Sequence, residues 1–183
     1  GEVAGAAVAE RLDGGTGTGG ESLRERAGWH FADLAALAGS DGTHDPEAVF
    51  DDLRALLWRH AGILRDEPSL SEGLSELETL RERASDLDVG GPASRSFEFA
   101  MNLGFALDVA EAILRGARRR TESRGAHART DYPETDPEWQ CNLDVERDSV
   151  GSMALTASPV GDPSEAVRDA LDAGYELDYH QLE

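Results

Sequence analysis

Val49, Phe50, Leu53, Leu56, Leu57 and His60 recur at intervals of three and four, the spacing that lines up side chains on one face of a helix. The residues before them say where that helix starts. Asp45 is a capping residue, Pro46 suits the first helical position, and Glu47 places a negative charge where the helix dipole favours it. A second stripe, Leu70, Leu74, Leu77, Leu80, Ala84 and Leu87, follows Ser69-Leu70-Ser71-Glu72, a capping box that predicts a helix start at Ser69. Gly73 inside it costs about 1 kcal/mol relative to alanine, and Gly90-Gly91-Pro92 is expected to end the helix. From Ser94 to Thr121 the pattern is apolar nearly all round, with Phe97, Phe99, Met101, Leu103, Phe105, Leu107, Val109, Ile113 and Leu114. Such a helix needs cover on every side. Two partner helices reach only part of its circumference, so a further surface is expected against the rest.

Short connections between these three helices favour antiparallel neighbours. Residues 21–37 predict another helix, broken by Gly39-Ser40-Asp41-Gly42-Thr43-His44. Before it, Gly1 to Glu10 reads as the interior of a small-residue helix with no start methionine, cap or targeting signal, and Gly14 to Gly20 as a flexible linker. Beyond Tyr132-Pro133 the period shifts to two. Leu143 and Val145, a turn at Asp148 to Gly151, then Met153 and Leu155 predict a β-hairpin. Asp162-Pro163-Ser164-Glu165 starts a short helix that Gly174 stops, and Tyr175, Leu177 and Tyr179 suggest a last strand. The expected fold is mainly α: an antiparallel three-helix bundle with an N-terminal helical arm and a small irregular tail of hairpin and helix. Its divisions are a helix and linker over 1–20, the bundle over 21–130 and an extension over 131–183.

Charge changes this picture. The 183 residues carry 37 acids against 17 basic residues, a formal net charge of −20, and every basic residue is arginine. An acidic surface of this kind repels itself in dilute buffer and is screened in strong salt, where the Debye length falls to about 3 Å near 1 M. A halophilic source is the expectation. The single cysteine, Cys141, rules out an internal disulfide or a self-contained iron–sulfur site and points to a reducing cytoplasmic compartment. Glu98, Asn102, Asp108 and Glu111 make the third helix too polar for direct membrane insertion. His30, His44, His60 and His180 lack zinc-ligand spacing, so no metal site is expected.

The charge is unevenly spread. Residues 1–92 hold 8 arginines and 19 acids, residues 93–129 hold 7 and 4, and residues 130–183 hold 2 and 14. Arg115, Arg118, Arg119, Arg120, Arg124 and Arg129 form the basic island. Cations at a helix C-terminus gain about 0.3–1 kcal/mol each from the dipole, which explains some of them. Arg118, Arg119 and Arg120 lie about 100° apart on a helix, so at least one is expected to turn inward or toward a partner. Glu122, Asp131, Asp108 and Glu111 are the carboxylates within reach. Gly125 is expected to end the helix in a left-handed conformation, and His127 reads as a structural hydrogen-bonding histidine. Acidic flanks and few aromatic residues argue against nucleic acid.

Glu122-Ser123-Arg124-Gly125-Ala126-His127-Ala128-Arg129, then Asp131-Tyr132-Pro133-Glu134 and Asp136-Pro137-Glu138-Trp139, closely resembles the C-terminal helical domain of succinate dehydrogenase and fumarate reductase flavoproteins. L-aspartate oxidases share the first half of that wording. The resemblance implies a longer parent enzyme that passes a hydride between a dicarboxylate and FAD, with an iron–sulfur subunit as electron partner. It places the flavin-binding and catalytic residues upstream of Gly1, so no catalytic, cofactor-binding or metal residue is assigned within this chain, which alone binds no cofactor and is inert. Arg119, Arg120, Glu122, Ser123, Arg124, Gly125, His127 and Arg129 are the motif and interface candidates, bracing the absent flavin domain. The parent would be cytoplasmic, or peripheral at the inner face of the cell membrane through its partners. An L-aspartate oxidase-type fragment and a stand-alone helical interaction module are the competing expectations.

Overall fold

A computed structural model describes residues 20–148 and 152–174. The expected segment and linker over 1–19, the middle of the hairpin turn and the last strand near Tyr175 lie outside the described residues. α1 is Gly20–Ala38 and α2 is Pro46–His60. The Asp45 carboxylate accepts the Glu47 amide at 3.1 Å and Pro46 opens the helix, as the three start signals imply. Val49, Leu53, Leu56 and His60 are buried along one face.

α3 runs Glu67–Ala84, and here both ends differ from expectation. The cap is Asp66, whose carboxylate accepts the Ser69 amide at 2.8 Å, so the helix begins before the capping box. Asp66-Glu67-Pro68 carries the same cap, acid and proline signals as Asp45-Pro46-Glu47, in a different order. The Ser69 hydroxyl turns instead to Nδ1 of His60, 3.1 Å away. At the other end, Leu87 is buried but not helical. Residues 86–89 peel away to exchange backbone hydrogen bonds with residues 40–44, including Asp88 N–H to His44 O at 2.8 Å, so Gly90-Gly91 only turns a chain that has already left the helix.

α4 is Arg95–Arg119, capped by the Ser94 hydroxyl on the Phe97 amide at 3.0 Å. The ion pairs read out the packing directions. Near its end α2 meets the start of α3 through His60 and Ser69, while Arg83 late in α3 reaches Asp52 early in α2. Arg81 late in α3 reaches Asp108 and Glu111 of α4, and Glu67 at its start faces Arg118. Phe50 and Phe99, near the starts of α2 and α4, pack edge to face at 5.7 Å. The three helices therefore run up, down and up around Leu53, Leu56, Leu77, Leu103, Leu107 and Leu114.

The greasy third helix is covered on one side. Leu103, Leu107, Ala110 and Leu114 face the core, while Met101, Phe105, Val109 and Ile113, each four residues from the last, stand exposed in a row. Phe105 is 70% accessible. Among the described residues, α1 meets the opening stretch of α4, with Phe31 and Leu34 beside Pro92 and Phe97.

β3 (Cys141–Arg147) and β4 (Met153–Pro159) form the expected antiparallel hairpin, with Val145 opposite Leu155. It leans on α4 through an Arg147 to Asp108 ion pair and through Leu155 beside Gly116. α5 (Glu165–Asp172) follows, and Gly174 stops it at φ +68°. β1 (Leu64–Arg65) pairs in parallel with β2 (Ala128–Arg129), a contact that the hydrophobic pattern does not announce. No described helix is long and apolar enough to cross a membrane.

Candidate functional site

An α-helix leaves its last carbonyls without intrahelical donors. At the end of α4 Arg129 supplies them. Its Nη1 donates to Ala117 O at 2.9 Å and to Arg118 O and Arg120 O at 3.2 Å, while Nε and Nη2 hold the two Asp131 oxygens at 2.7 Å each. The Arg129 guanidinium also lies 4.9 Å from the Tyr132 ring centre. Arginine fits because its planar fork can bond a carboxylate with one edge and carbonyls with the other without losing charge. Only 1% of Arg129 is exposed. The β1 to β2 bridge sets it there, with the Thr130 amide on Arg65 O at 2.8 Å. Asp131 in turn accepts the Glu67 amide at 2.9 Å, which joins the start of α3 to the end of α4. The Arg129 hydrogen bonds hold the Asp131 carboxyl down at about 2.

Glu122 is the second centre, with none of its surface exposed. Its Oε1 accepts Arg120 Nη1 at 2.6 Å and Arg124 Nε at 2.8 Å. Its Oε2 accepts Arg124 Nη2 at 3.0 Å and the Asp136 amide at 2.9 Å. The Arg124 bonds, then the Asp136 amide and Arg120, lower its carboxyl to about 2 against the opposing cost of burial. Arg120 continues to Trp139 O and Cys141 O and stacks over the Trp139 ring at 5.2 Å. It is the arginine of the consecutive three that turns inward. Arg119 is exposed, and no carboxylate among the described residues pairs with it. Arg115 and Arg118 pair instead with Glu111 and Glu67. What looked like one basic island is thus several separate ion pairs.

Ser123 ties the loop together. Its hydroxyl accepts the Arg129 amide at 2.9 Å and donates to Tyr132 O at 2.8 Å, and its amide donates to Glu134 O. Gly125 does adopt a left-handed conformation, at φ +57°, but it does not end the helix. α4 stops at Arg119, and Gly125 makes the tight turn in which Arg124 and His127 exchange backbone hydrogen bonds. His127 Nδ1 accepts from Arg65 Nη1 at 2.9 Å, which assigns the proton to Nε2, 3.3 Å from Arg120 O. Burial, reinforced by Arg65, Arg129 and Arg120, pushes the His127 pKa down.

Chemically this is a clasp. Each carboxylate is saturated by guanidinium groups and a backbone amide, and both nitrogens of His127 are engaged, so none of them stands ready to take a proton from a substrate. Among the described residues no group of histidine, cysteine or acidic side chains could hold a metal ion. Nor do they fit a dinucleotide: the only sheets among them are two-stranded, and no glycine-rich turn leads from a strand into a helix. Arg65, Asp136 and Trp139 belong to the clasp too. Asp136 and Trp139 were visible only as part of the motif wording. Arg65 lies 62 residues before His127, and no local pattern connects the two.

This clasp lies within the stretch that matches known proteins. The model of the family described as "Fumarate reductase flavoprotein C-term" matches residues 50–165, well over half of the chain. The chain belongs to this family. The fumarate reductase flavoprotein subunit of Haemophilus influenzae is 31% identical over 139 residues, 74% of this chain and 23% of that protein. The fumarate reductase flavoprotein subunit of Mycobacterium tuberculosis is 39% identical over 114 residues, 60% of this chain and 19% of that protein. Among solved structures, a quinol fumarate reductase from E. coli superimposes with a TM-score of 0.71 at 25% identity, over 84% of this chain and 28% of its own. The chain thus spans about a fifth of the length of the curated fumarate reductase relatives it matches. L-aspartate oxidases also match, that of Pyrococcus horikoshii at 41% identity over 83 residues, 45% of this chain and 14% of that protein.

Proposed function

We propose that this chain is the C-terminal part of an FAD-dependent dicarboxylate oxidoreductase of the succinate dehydrogenase and fumarate reductase type, and that its task is to brace the flavin domain and a partner subunit. The observation that carries this reading is the joint one of family membership and an α4 whose apolar row, Met101 to Ile113, has no cover among the described residues. The match to the Haemophilus influenzae fumarate reductase subunit covers 74% of this chain, whereas the aspartate oxidases of Nostoc and Pyrococcus horikoshii match over 53% and 45% of it. The longer reach favours the fumarate reductase type over the aspartate oxidase type. On this reading the flavin and the dicarboxylate are handled upstream, electrons pass to or from an iron–sulfur subunit, and the assembly sits in the cytoplasm or against the inner face of the membrane. The chain's own residues bind no FAD; they hold the clasp that fixes the end of α4.

Purified parent protein is expected to carry FAD and interconvert fumarate and succinate, while residues 1–183 alone show neither flavin absorbance nor turnover. A yellow preparation of the short chain would place the flavin site wrongly. The acidic, lysine-free composition further supports a salt-rich cytoplasm. Melting temperature should then climb from dilute to molar salt, and equal values in both would refute that assignment.

A further inference from the structure

The end of the bundle where α2 stops and α3 begins carries an apolar surface distinct from the row on α4. Trp58 and Ile63 are 80% and 77% exposed, and with Leu57 and Ala61 they wall an open groove of about 590 Å³ whose remaining lining includes Arg65. Single exposed apolar residues are ordinary, but several gathered around one groove mark a contact surface. α1 packs at Pro92 and Phe97, beside the start of α4, whereas the groove lies where α2 ends and α3 begins. The 15 residues of α2, about 22 Å of helix, separate those two places.

Arg65 gives the groove its chemistry. In a chain of net charge −20 its guanidinium is half-buried, yet its protein partners are Gly62 O, 2.9 Å from Nε, and His127 Nδ1, 2.9 Å from Nη1. Neither is an anion. No carboxylate among the described residues pairs with Arg65, while Arg59, Arg81, Arg83, Arg120, Arg124 and Arg129 all have one. Arg54 on the rim spends its charge on an exposed pair with Asp51. A partly desolvated guanidinium without a counter-charge, at the edge of an apolar wall, is complementary to a segment that brings both an aliphatic or aromatic side chain and a carboxylate.

We infer that the groove formed by Leu57, Trp58, Ile63 and Arg65 docks an acidic, apolar segment of a separate polypeptide, with a carboxylate of that segment on Arg65. This rests on the reading that the chain is part of a multi-subunit flavoenzyme. With no described carboxylate on Arg65, charge complementarity assigns the docked segment to an acidic partner.

The experiment uses the full-length parent, purified alone and as its co-assembled complex, with 5-fluorotryptophan as the probe. The Trp58 fluorine signal, assigned with Trp58→Phe, should be open to a soluble nitroxide in the lone flavoprotein and at least tenfold better protected in the complex. Ile63→Asp should weaken assembly at least tenfold and Ile63→Arg by threefold or less, with flavin content and melting temperature unchanged in both. A Trp58 protected already in the lone protein would overturn the inference in favour of the upstream body. Exposure in both forms would overturn it outright, and equal losses for Ile63→Asp and Ile63→Arg would remove the carboxylate. Flavin absorbance reports separately on the parent's class: a colourless, monomeric parent defeats the proposed function itself.

Discussion

The leucine core between α2, α3 and α4 and the clasp at the end of α4 hold the same bundle by opposite means. In the core, stabilisation is proportional to apolar area and has no direction, so Leu53, Leu77 and Leu107 need only be apolar and of suitable volume. In the clasp, Arg129 touches a carboxylate and three carbonyls at once, and every bond has a required angle. Truncation in the core leaves a void. Truncation in the clasp leaves buried charges and carbonyls with no partner, which costs more than the interaction itself contributed. The fold is thus tolerant along its length and intolerant at one end.

That contrast can be broken most directly by substitution. Arg129→Met keeps much of the volume but strands the carbonyls of residues 117, 118 and 120 and leaves the exposed Asp131 to water, and a loss of about 3–5 kcal/mol is expected in urea unfolding, mainly from the carbonyls without donors. Leu77→Ala, fully buried in the core, should cost about 2–4 kcal/mol through the cavity it opens. Should the core variant prove much the more damaging, the clasp would be decoration. The double substitution of Arg129 and Asp131 sharpens the point: removing both partners should restore part of what the single change loses.

Acid acts on the clasp and not on the core. Glu122 and Asp131 have carboxyls lowered to about 2 in the folded chain, below the values near 4.5 and 3.8 of free side chains. A depressed carboxylate pKa contributes stability that is complete above the unfolded value and vanishes as pH falls through the folded one. Stability should therefore drop between about pH 4.5 and pH 2. His127 works higher up the scale. Its folded pKa is pushed below 6.5, so the unfolded chain binds the proton more readily and a shallower decline begins as pH falls past 6.5. Urea midpoints against pH should show both slopes in Leu77→Ala, lose the Glu122 share of the lower one in Glu122→Gln while Asp131 keeps the rest, and lose the upper one in His127→Gln.

The two regions also differ in how far they can be read from sequence. Periodicity placed α2 and α4 because one row of leucines repeats the same contact many times. Ser69 misled the start of α3 because capping signals are local, and Asp66-Glu67-Pro68 offered a competing set three residues earlier. Arg129 shows why the clasp was less legible. Nothing in Ala128-Arg129-Thr130 distinguishes a buried guanidinium from an exposed one, and its position depends on a two-residue parallel bridge to Leu64 and Arg65, too short to carry any period. Glu76 faces the buried His60 at 3.3 Å, and that contact is equally hidden from local pattern because it crosses between helices.

The smallest effect concerns the row on α4, which belongs to neither region. Phe105→Ser removes an aromatic side chain that the described structure leaves 70% exposed, so the chain by itself should keep its stability within about 0.5 kcal/mol. In the proposed parent flavoprotein the same substitution should loosen the union of the bundle with its proposed flavin domain, read as an earlier melting transition or faster proteolytic release of the C-terminal part. The pair of measurements separates two origins of an apolar surface. A residue that merely escaped burial is neutral in both settings, whereas one whose cover is supplied by another part of the enzyme is silent alone and costly when assembled. Equal, small effects in both would mean that α4 turns this face to solvent in the proposed parent, and that another surface joins this domain to the remainder.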